Sequence, residues 1–423
     1  MNVFRIEGGR PLSGSVRIQG AKNSVLPILA ASFLAPGACI LHNCPRLTDV
    51  DHTLEILRHL GCRVKREGDT VTIDASSPAA WDIPDDLMRE MRSSVVFLGP
   101  VLGRMGRTEL SYPGGCELGP RPIDLHLSAL RTLGAEIQER NGRLLCTGKL
   151  VGGDIAFSLP SVGATENAML SAVMAQGVTT ITNAAREPEI VELQSFLRGL
   201  GADVRGAGSS IITVRGGRSL HGWEHTLTAD RVVACTYLSA VASAGGEGEV
   251  IGVDWRQLST VTAVLAEAGC RIQSSPEAIS IAAPHRLKAV RPIRTAPYPG
   301  FPTDAQALIM AALCKAKGAT VIAENMFDSR YRHVDELVRM GADIQVEGKV
   351  AVVYGVPQLY GAKVRSTDLR GGAALAVAAV GAEGETVVSG LHHIDRGYAD
   401  LAADLNALGA NVVREEEEIV SES

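Results

Sequence analysis

The sequence predicts an α/β (α+β) protein built from a repeated unit in which strands and one-faced helices wrap around fully apolar helices. Three observations predict it. An amphipathic stretch, a glycine and two short β-type runs return six times in 423 residues. The landmark glycines are Gly61, Gly134, Gly201, Gly269, Gly341 and Gly409, about 70 residues apart, long enough for one supersecondary unit. A second series, Gly37, Gly106, Gly177, Gly248, Gly318 and Gly384, closes small-residue apolar stretches and opens strand-like runs. The third observation is that each unit carries two helices of different character.

Taken in order, the chain opens on Phe4-Arg5-Ile6-Glu7-Gly8-Gly9 and Leu12-Ser13-Gly14. This resembles the hairpin end Ile211–Gly217 followed by Leu220-His221-Gly222, so the N-terminal segment is expected to complete a unit begun near the C-terminus. Val25–Leu41 is broken by Ser32, Pro36 and Gly37. It reads as a buried helix plus a strand, since a membrane span needs about 20 apolar residues. Val50, Leu54 and Leu57, and again Tyr398, Leu401, Leu405 and Leu408, keep the spacing of a one-faced helix. Ala305–Ala316 and Gly371–Val380 are apolar nearly all round, which requires burial on every side. The runs Thr70–Ile73, Leu144–Thr147, Ile211–Val214, Ile279–Ala282 and Val350–Tyr354 are short and rich in β-formers, with turn residues ahead of them. Three units per domain is the symmetric solution. It places one domain at 22–229 and the other at 1–21 plus 230–423, with a cleft able to open and close about the two crossings.

The length exceeds what one core accommodates, which agrees with two domains. A net charge of −6 argues against a general nucleic-acid binder but leaves room for a local basic pocket. Met-Asn-Val-Phe-Arg-Ile-Glu lacks the apolar core of a signal peptide, so a cytoplasmic protein with no membrane attachment is expected. The eight cysteines form no CxxC and no zinc-like cluster, so no metal and no cofactor is expected. Seven of them read as small core residues. No Walker A, GxGxxG or GxSxG element supports an NTPase, dehydrogenase or serine hydrolase.

A polar cluster stands ahead of each apolar helix: Lys22-Asn23, Arg92-Ser93-Ser94, Ser161 to Thr165, Asp230-Arg231, Pro302-Thr303-Asp304 and Thr367-Asp368-Leu369-Arg370. Singly, such residues are N-caps. Collectively, symmetry gathers helix N-termini that attract anions, and Lys22, Arg92, Arg231 and Arg370 add cations. Substrates bearing phosphates or carboxylates follow. One loop departs from the other five copies: Pro113-Gly114-Gly115-Cys116-Glu117-Leu118-Gly119-Pro120-Arg121-Pro122-Ile123-Asp124-Leu125-His126. Its proline and glycine content predicts a mobile lid. Cys116 near Arg121 is a candidate acid or nucleophile, against an inert loop thiol at even odds for an isolated cysteine. His126 reads as structural.

This constellation resembles the enolpyruvyl transferases over the whole chain. Gly20-Ala21-Lys22-Asn23, the 113–126 segment, Ser161 to Thr165, Ala185-Arg186-Glu187-Pro188-Glu189-Ile190-Val191, Phe301-Pro302-Thr303-Asp304, Thr367 to Arg370 and His393-Ile394-Asp395-Arg396-Gly397-Tyr398 match its signatures in order. The resemblance implies a two-domain inside-out α/β barrel. It also implies transfer of the enolpyruvyl group of phosphoenolpyruvate to the 3′-hydroxyl of UDP-N-acetylglucosamine, with release of phosphate, the first committed step of peptidoglycan synthesis. In that reading Cys116, Asp304, Lys22 and Arg396 are catalytic. Cys116 is the acid toward the methylene carbon and can carry a phosphothioketal adduct, and Asp304 takes the sugar-hydroxyl proton. Lys22, Asn23, Arg121, Arg396 and Arg370 hold phosphoenolpyruvate. Asn23, Arg92, Arg121, Pro122, Ile123, Asp124, Leu125, Ser161, Val162, Asp304 and Met326 bind the UDP-sugar. Fosfomycin-type inhibitors are expected to act at Cys116, on a monomer or weak oligomer. The family's Asp-Arg-Ile-Glu-Ala-Gly reads Asp230-Arg231-Val232-Val233-Ala234-Cys235 here, its Glu-Asn-Arg reads Asp328-Ser329-Arg330, and Leu159 stands where some members carry lysine. A catalytically silent UDP-sugar sensor and a shikimate 3-phosphate transferase are the alternatives.

Overall fold

The six landmark glycines take φ between 88° and 107°, a region that side chains rarely enter. Each ends a one-faced helix, and the residue after it donates its N–H to the carbonyl of a buried leucine five positions back: Leu57, Leu130, Leu197, Leu265, Leu337 or Leu405. This is the six-to-one bond of a Schellman cap, repeated in every unit. The Leu…Gly spacing in the sequence is therefore the stop signal of each helix and the anchor of its last turn.

The computed structural model describes residues 2–111 and 123–416, apart from the side chains of Glu90 and Arg92. Within these residues the strands form six sheets, five of four strands and one of three. The chain is α/β, with apolar helices inside and the sheets and one-faced helices outside. Two compact units result. One holds the chain through Gln19 and from Ala229 onward, and the other holds the described residues from Gly20 to Thr228. Each has a single continuous apolar core.

In the first of these units the strand Asn2–Glu7 lies between Glu385–Ser389 and Asn411–Glu416, antiparallel to both, with Phe4 opposite Val388 and Arg414. Leu12–Arg17 runs parallel to Gly246–Ile251, with Val16 opposite Val250. The start of the chain thus supplies one strand to each of two sheets. The core helices of this unit are Arg231–Ala244, Thr303–Leu313 and Leu369–Val380. Those of the other unit are Lys22–Ser32, Val162–Met174 and the stretch from Arg92 to Met105.

Two elements differ from the sequence expectation. The apolar stretch from Arg92 opens as a 3-10 helix through Phe97, and the α-helix begins at Leu98. Pro100, which has no N–H to donate, falls in the first turn of that α-helix, where no intrahelical partner is lost. Tyr398 was expected on a one-faced helix but lies ahead of it. Asp400 accepts the Ala403 N–H at 2.9 Å, so the helix begins at Leu401. No helix of the described residues is long and apolar enough to cross a membrane.

Candidate functional site

The helix Lys22–Ser32 starts without a side-chain cap among the described residues, and its first residue is a cation. Lys22 Nζ lies 2.7 Å from Asp49 Oδ2, with the side chains 12% and 1% exposed respectively. Asp49 sits in the first turn of the helix Thr48–His59, so a buried carboxylate fixes the direction of the lysine. Asn23 follows, half-buried. Next to it, Ser24 hydrogen-bonds Glu192, whose carboxylate also accepts the Thr228 N–H at 2.7 Å and hydroxyl at 2.6 Å. Burial pushes Glu192 up, but bonds from His225, Ser24 and Thr228 hold it below the usual carboxylate range. Glu166, equally hidden, goes the other way: burial first, then Glu189 and Glu187, raise it well above that range.

Ser161 caps the helix Val162–Met174, its Oγ accepting the Ala164 N–H at 3.4 Å. Asn167, farther along this helix, donates to the Val95 carbonyl at 2.7 Å and accepts the Gly99 N–H at 2.8 Å. Its amide orientation is thereby set, and Nδ2 meets His126 Nδ1 at 2.9 Å, making that ring nitrogen the acceptor. His126 is structural, as the sequence suggests. It joins the buried Ile123, the exposed Asp124 and the half-buried Leu125 to the helix that Ser161 and Val162 begin. Arg92 is the first residue of its 3-10 helix. Its side chain lies outside the described residues, as do Cys116, Arg121 and Pro122. The other seven cysteines are buried and reduced, and burial pushes Cys44, Cys62, Cys235, Cys270 and Cys314 up to about 12. Cys235, a departure from the family pattern, is thus a core residue.

In the unit completed by the chain start, Asp304 is the second residue of the helix Thr303–Leu313, and the cap position is Pro302. Asp304 is therefore not an N-cap. Its carboxylate, 28% exposed, is ion-paired to Arg330 and lies 3.4 Å from Arg370 Nη2, the two guanidiniums being 4% and 3% exposed. Arg370 also donates to the Tyr398 hydroxyl at 3.3 Å, which meets Thr236 Oγ1 at 2.7 Å. Burial works against the Arg370 charge, but Asp304, Tyr398 and Asp230 together raise its pKa above the ordinary value. The Asp304 carboxylate is thus held in direction by two buried guanidiniums. Met326, half-buried, has its N–H held by Glu324 at 2.7 Å. Arg396, half-buried, stands two residues before Tyr398.

Lys22, Asn23 and the UDP-sugar candidates 123–125, 161 and 162 therefore belong to one unit, and Asp304, Met326, Arg370 and Arg396 to the other. Sequence reasoning missed the partners: Asp49, the role of Arg330, the Tyr398 phenol and Glu324. A signal for two of them was present. Asp49 follows the helix start Lys22 by 27 residues and Arg330 follows the helix start Thr303 by 27, so superposing the repeats places the two anchors at one position.

The sequence profile of the EPSP synthase (3-phosphoshikimate 1-carboxyvinyltransferase) family matches residues 6–405. The chain is similar to UDP-N-acetylglucosamine 1-carboxyvinyltransferase 2 of Caldanaerobacter subterraneus subsp. tengcongensis, 50% identical over 415 residues, covering 98% of this chain and 100% of that one. It is 48% identical over 418 residues to UDP-N-acetylglucosamine 1-carboxyvinyltransferase 1 of Symbiobacterium thermophilum, covering 97% and 95%. Among solved structures, the enolpyruvyl transferase NikO from Streptomyces tendae superposes with a TM-score of 0.88 at 27% identity, covering 98% of each chain. EPSP synthase from Acinetobacter baumannii, at 20% identity and a TM-score of 0.74 over 98% of this chain and 100% of that one, shares the fold.

Proposed function

The chain belongs to the EPSP synthase family, and we propose that it transfers the enolpyruvyl group of phosphoenolpyruvate to the 3′-hydroxyl of UDP-N-acetylglucosamine, releasing phosphate. In support, the full-length relatives at 48–50% identity are named UDP-N-acetylglucosamine 1-carboxyvinyltransferases. The geometric observation that carries the chemistry is Asp304, a partly exposed carboxylate aimed by two buried guanidiniums. As the sugar oxygen bonds to the central carbon of phosphoenolpyruvate, Asp304 accepts the hydroxyl proton and Cys116 delivers a proton to the methylene carbon. Loss of phosphate and of one proton from the resulting methyl group regenerates the double bond. Lys22, Asn23, Arg121, Arg370 and Arg396 hold the phosphate and carboxylate, where converging cations favour the departing phosphate. Arg92, Arg121, Pro122, Ile123, Asp124, Leu125, Ser161, Val162, Asp304 and Met326 hold the UDP-sugar.

The reading places the protein in the cytoplasm at the first committed step of peptidoglycan synthesis, as a monomer or weak oligomer. Fosfomycin-type epoxides are expected to alkylate Cys116. Phosphate release from phosphoenolpyruvate, measured with and without UDP-N-acetylglucosamine, tests the proposal. Release that depends on the UDP-sugar is the expected result; release with shikimate 3-phosphate instead overturns it.

A further inference from the structure

Glu324 follows the strand Ala319–Ala323 and is 1% exposed. A carboxylate this deeply buried is costly unless its oxygens are satisfied. Here four donors converge on it. Oε1 accepts the Thr295 hydroxyl at 3.0 Å, the Met326 N–H at 2.7 Å and the Phe327 N–H at 3.1 Å. Oε2 accepts the Thr303 hydroxyl at 2.9 Å. Thr303 is the residue immediately before Asp304, and Met326 is one of the residues proposed to bind the UDP-sugar.

The other unit shows how unusual this arrangement is within the repeat. Asn43 and Asn183 hold the corresponding place, each just after its strand at φ 56°. Each donates its side-chain amide to a backbone carbonyl, of Leu227 and Phe157 respectively, at 3.0 Å. Leu227, Phe157 and Thr295 are themselves equivalent, because each sends its N–H to the last residue of the matching strand. In the Asp304 copy, Asn325 makes the amide-to-carbonyl bond one residue later, to Thr295 at 3.1 Å. The vacated position carries an acidic acceptor, and its neighbour across the turn carries a hydroxyl donor. Two complementary changes thus occur where this copy reaches the start of the helix that bears the base.

We infer that Glu324 is a positioning residue for the transfer, locking Asp304, through Thr303, to the backbone at Met326 and Phe327. Arg330 bounds the same turn from its far end and grips Asp304 directly, so the base is fixed from two sides. The inference rests on Asp304 accepting the sugar proton. It also predicts which substitutions are tolerated. In Glu324→Gln the amide oxygen can face the three donors at Oε1, and the new NH₂ can donate to the Thr303 hydroxyl.

The test compares Thr303→Val, Thr303→Ser, Glu324→Ala and Glu324→Gln in steady-state kinetics and in hydrogen exchange across residues 324–327. Thr303→Val is expected to lower kcat by about 10²-fold, as a small misplacement of a reacting group does, with KM for UDP-N-acetylglucosamine little changed. Thr303→Ser recovers most of that loss, and Glu324→Gln most of the loss caused by Glu324→Ala. Exchange at the Met326 and Phe327 amides accelerates in Glu324→Ala but not in Glu324→Gln. Wild-type kcat in Thr303→Val, failure of serine to rescue, or unchanged exchange in Glu324→Ala overturns the inference while leaving the reaction assignment standing. A wild-type protein that releases no phosphate fails earlier and overturns both.

Discussion

The helix starts at Lys22 and at Thr303 hold the same place in the repeat with the charges exchanged. In one, an accessible cation is anchored by a buried carboxylate; in the other, an accessible carboxylate is anchored by two buried guanidiniums. Asp49 and Arg330 both enter from the region that opens the following one-faced helix, whereas Arg370 comes from the next core helix. A buried charge without a partner is strongly unfavourable, so the anchor's need for compensation also fixes the direction of the accessible group. The starts at Ser161, Asp230 and Asp368 differ, because their side chains turn back to accept the helix's own N–H groups. One architectural position thus serves two ends. It can satisfy its helix, or it can present a charge.

The sharpest way to break this comparison is at the accessible carboxylate. Asp304→Ala is expected to lower turnover by 10²–10⁴-fold, the range of general-base catalysis, with UDP-sugar binding still detectable by calorimetry. A fully active variant would reduce Asp304 to an ordinary first-turn acid. On the opposite side, Asp49→Asn removes the charged anchor of Lys22, and denaturant unfolding should show a loss of about 1.5–3 kcal/mol. The double variant Lys22→Met with Asp49→Leu should regain most of that stability while phosphoenolpyruvate turnover stays low. Recovery of turnover would remove Lys22 from the site.

A third difference lies in how the two units respond to acid. Burial, assisted by Arg330 and opposed by Asp368, holds the buried His333 imidazole down to about 4. A base with a depressed folded pKa contributes stability that is complete above its unfolded value near 6.5 and is lost as pH falls toward 4. The unit bearing Asp304 should therefore lose about 3 kcal/mol across that window, and His333→Leu should flatten the loss in urea titrations at stepped pH. An unchanged slope would assign the acid sensitivity elsewhere. The smallest effect is expected at a capping start: Ser161→Ala should cost about 1 kcal/mol in unfolding free energy. If Ser161 also holds the UDP-sugar, KM rises in the same variant; a KM that stays put leaves it a cap alone.

Much of the fold is legible in the residues themselves. The Leu…Gly phrase marks six helix ends because a Schellman cap needs a glycine at positive φ and a leucine five residues before the donor, both local requirements. Runs apolar on every side likewise mark the buried helices, and the run Val350–Tyr354 coincides with its strand. Asp400, by contrast, stops a helix that periodicity alone extends back to Tyr398, because one capping bond outweighs a matching spacing. The candidate base Asp304 and cation Lys22 are also visible, as charged residues at helix starts. Which groups they pair with is not. Lys22 with Asp49, Asp304 with Arg330 and Arg370, and Glu324 with Thr295 and Thr303 join residues that are 21 to 66 positions apart. Composition and periodicity record which face of an element is apolar, a property of neighbours along the chain. Whether a helix start caps itself or presents a charge depends on which distant group is buried against it, and only the packed core decides that.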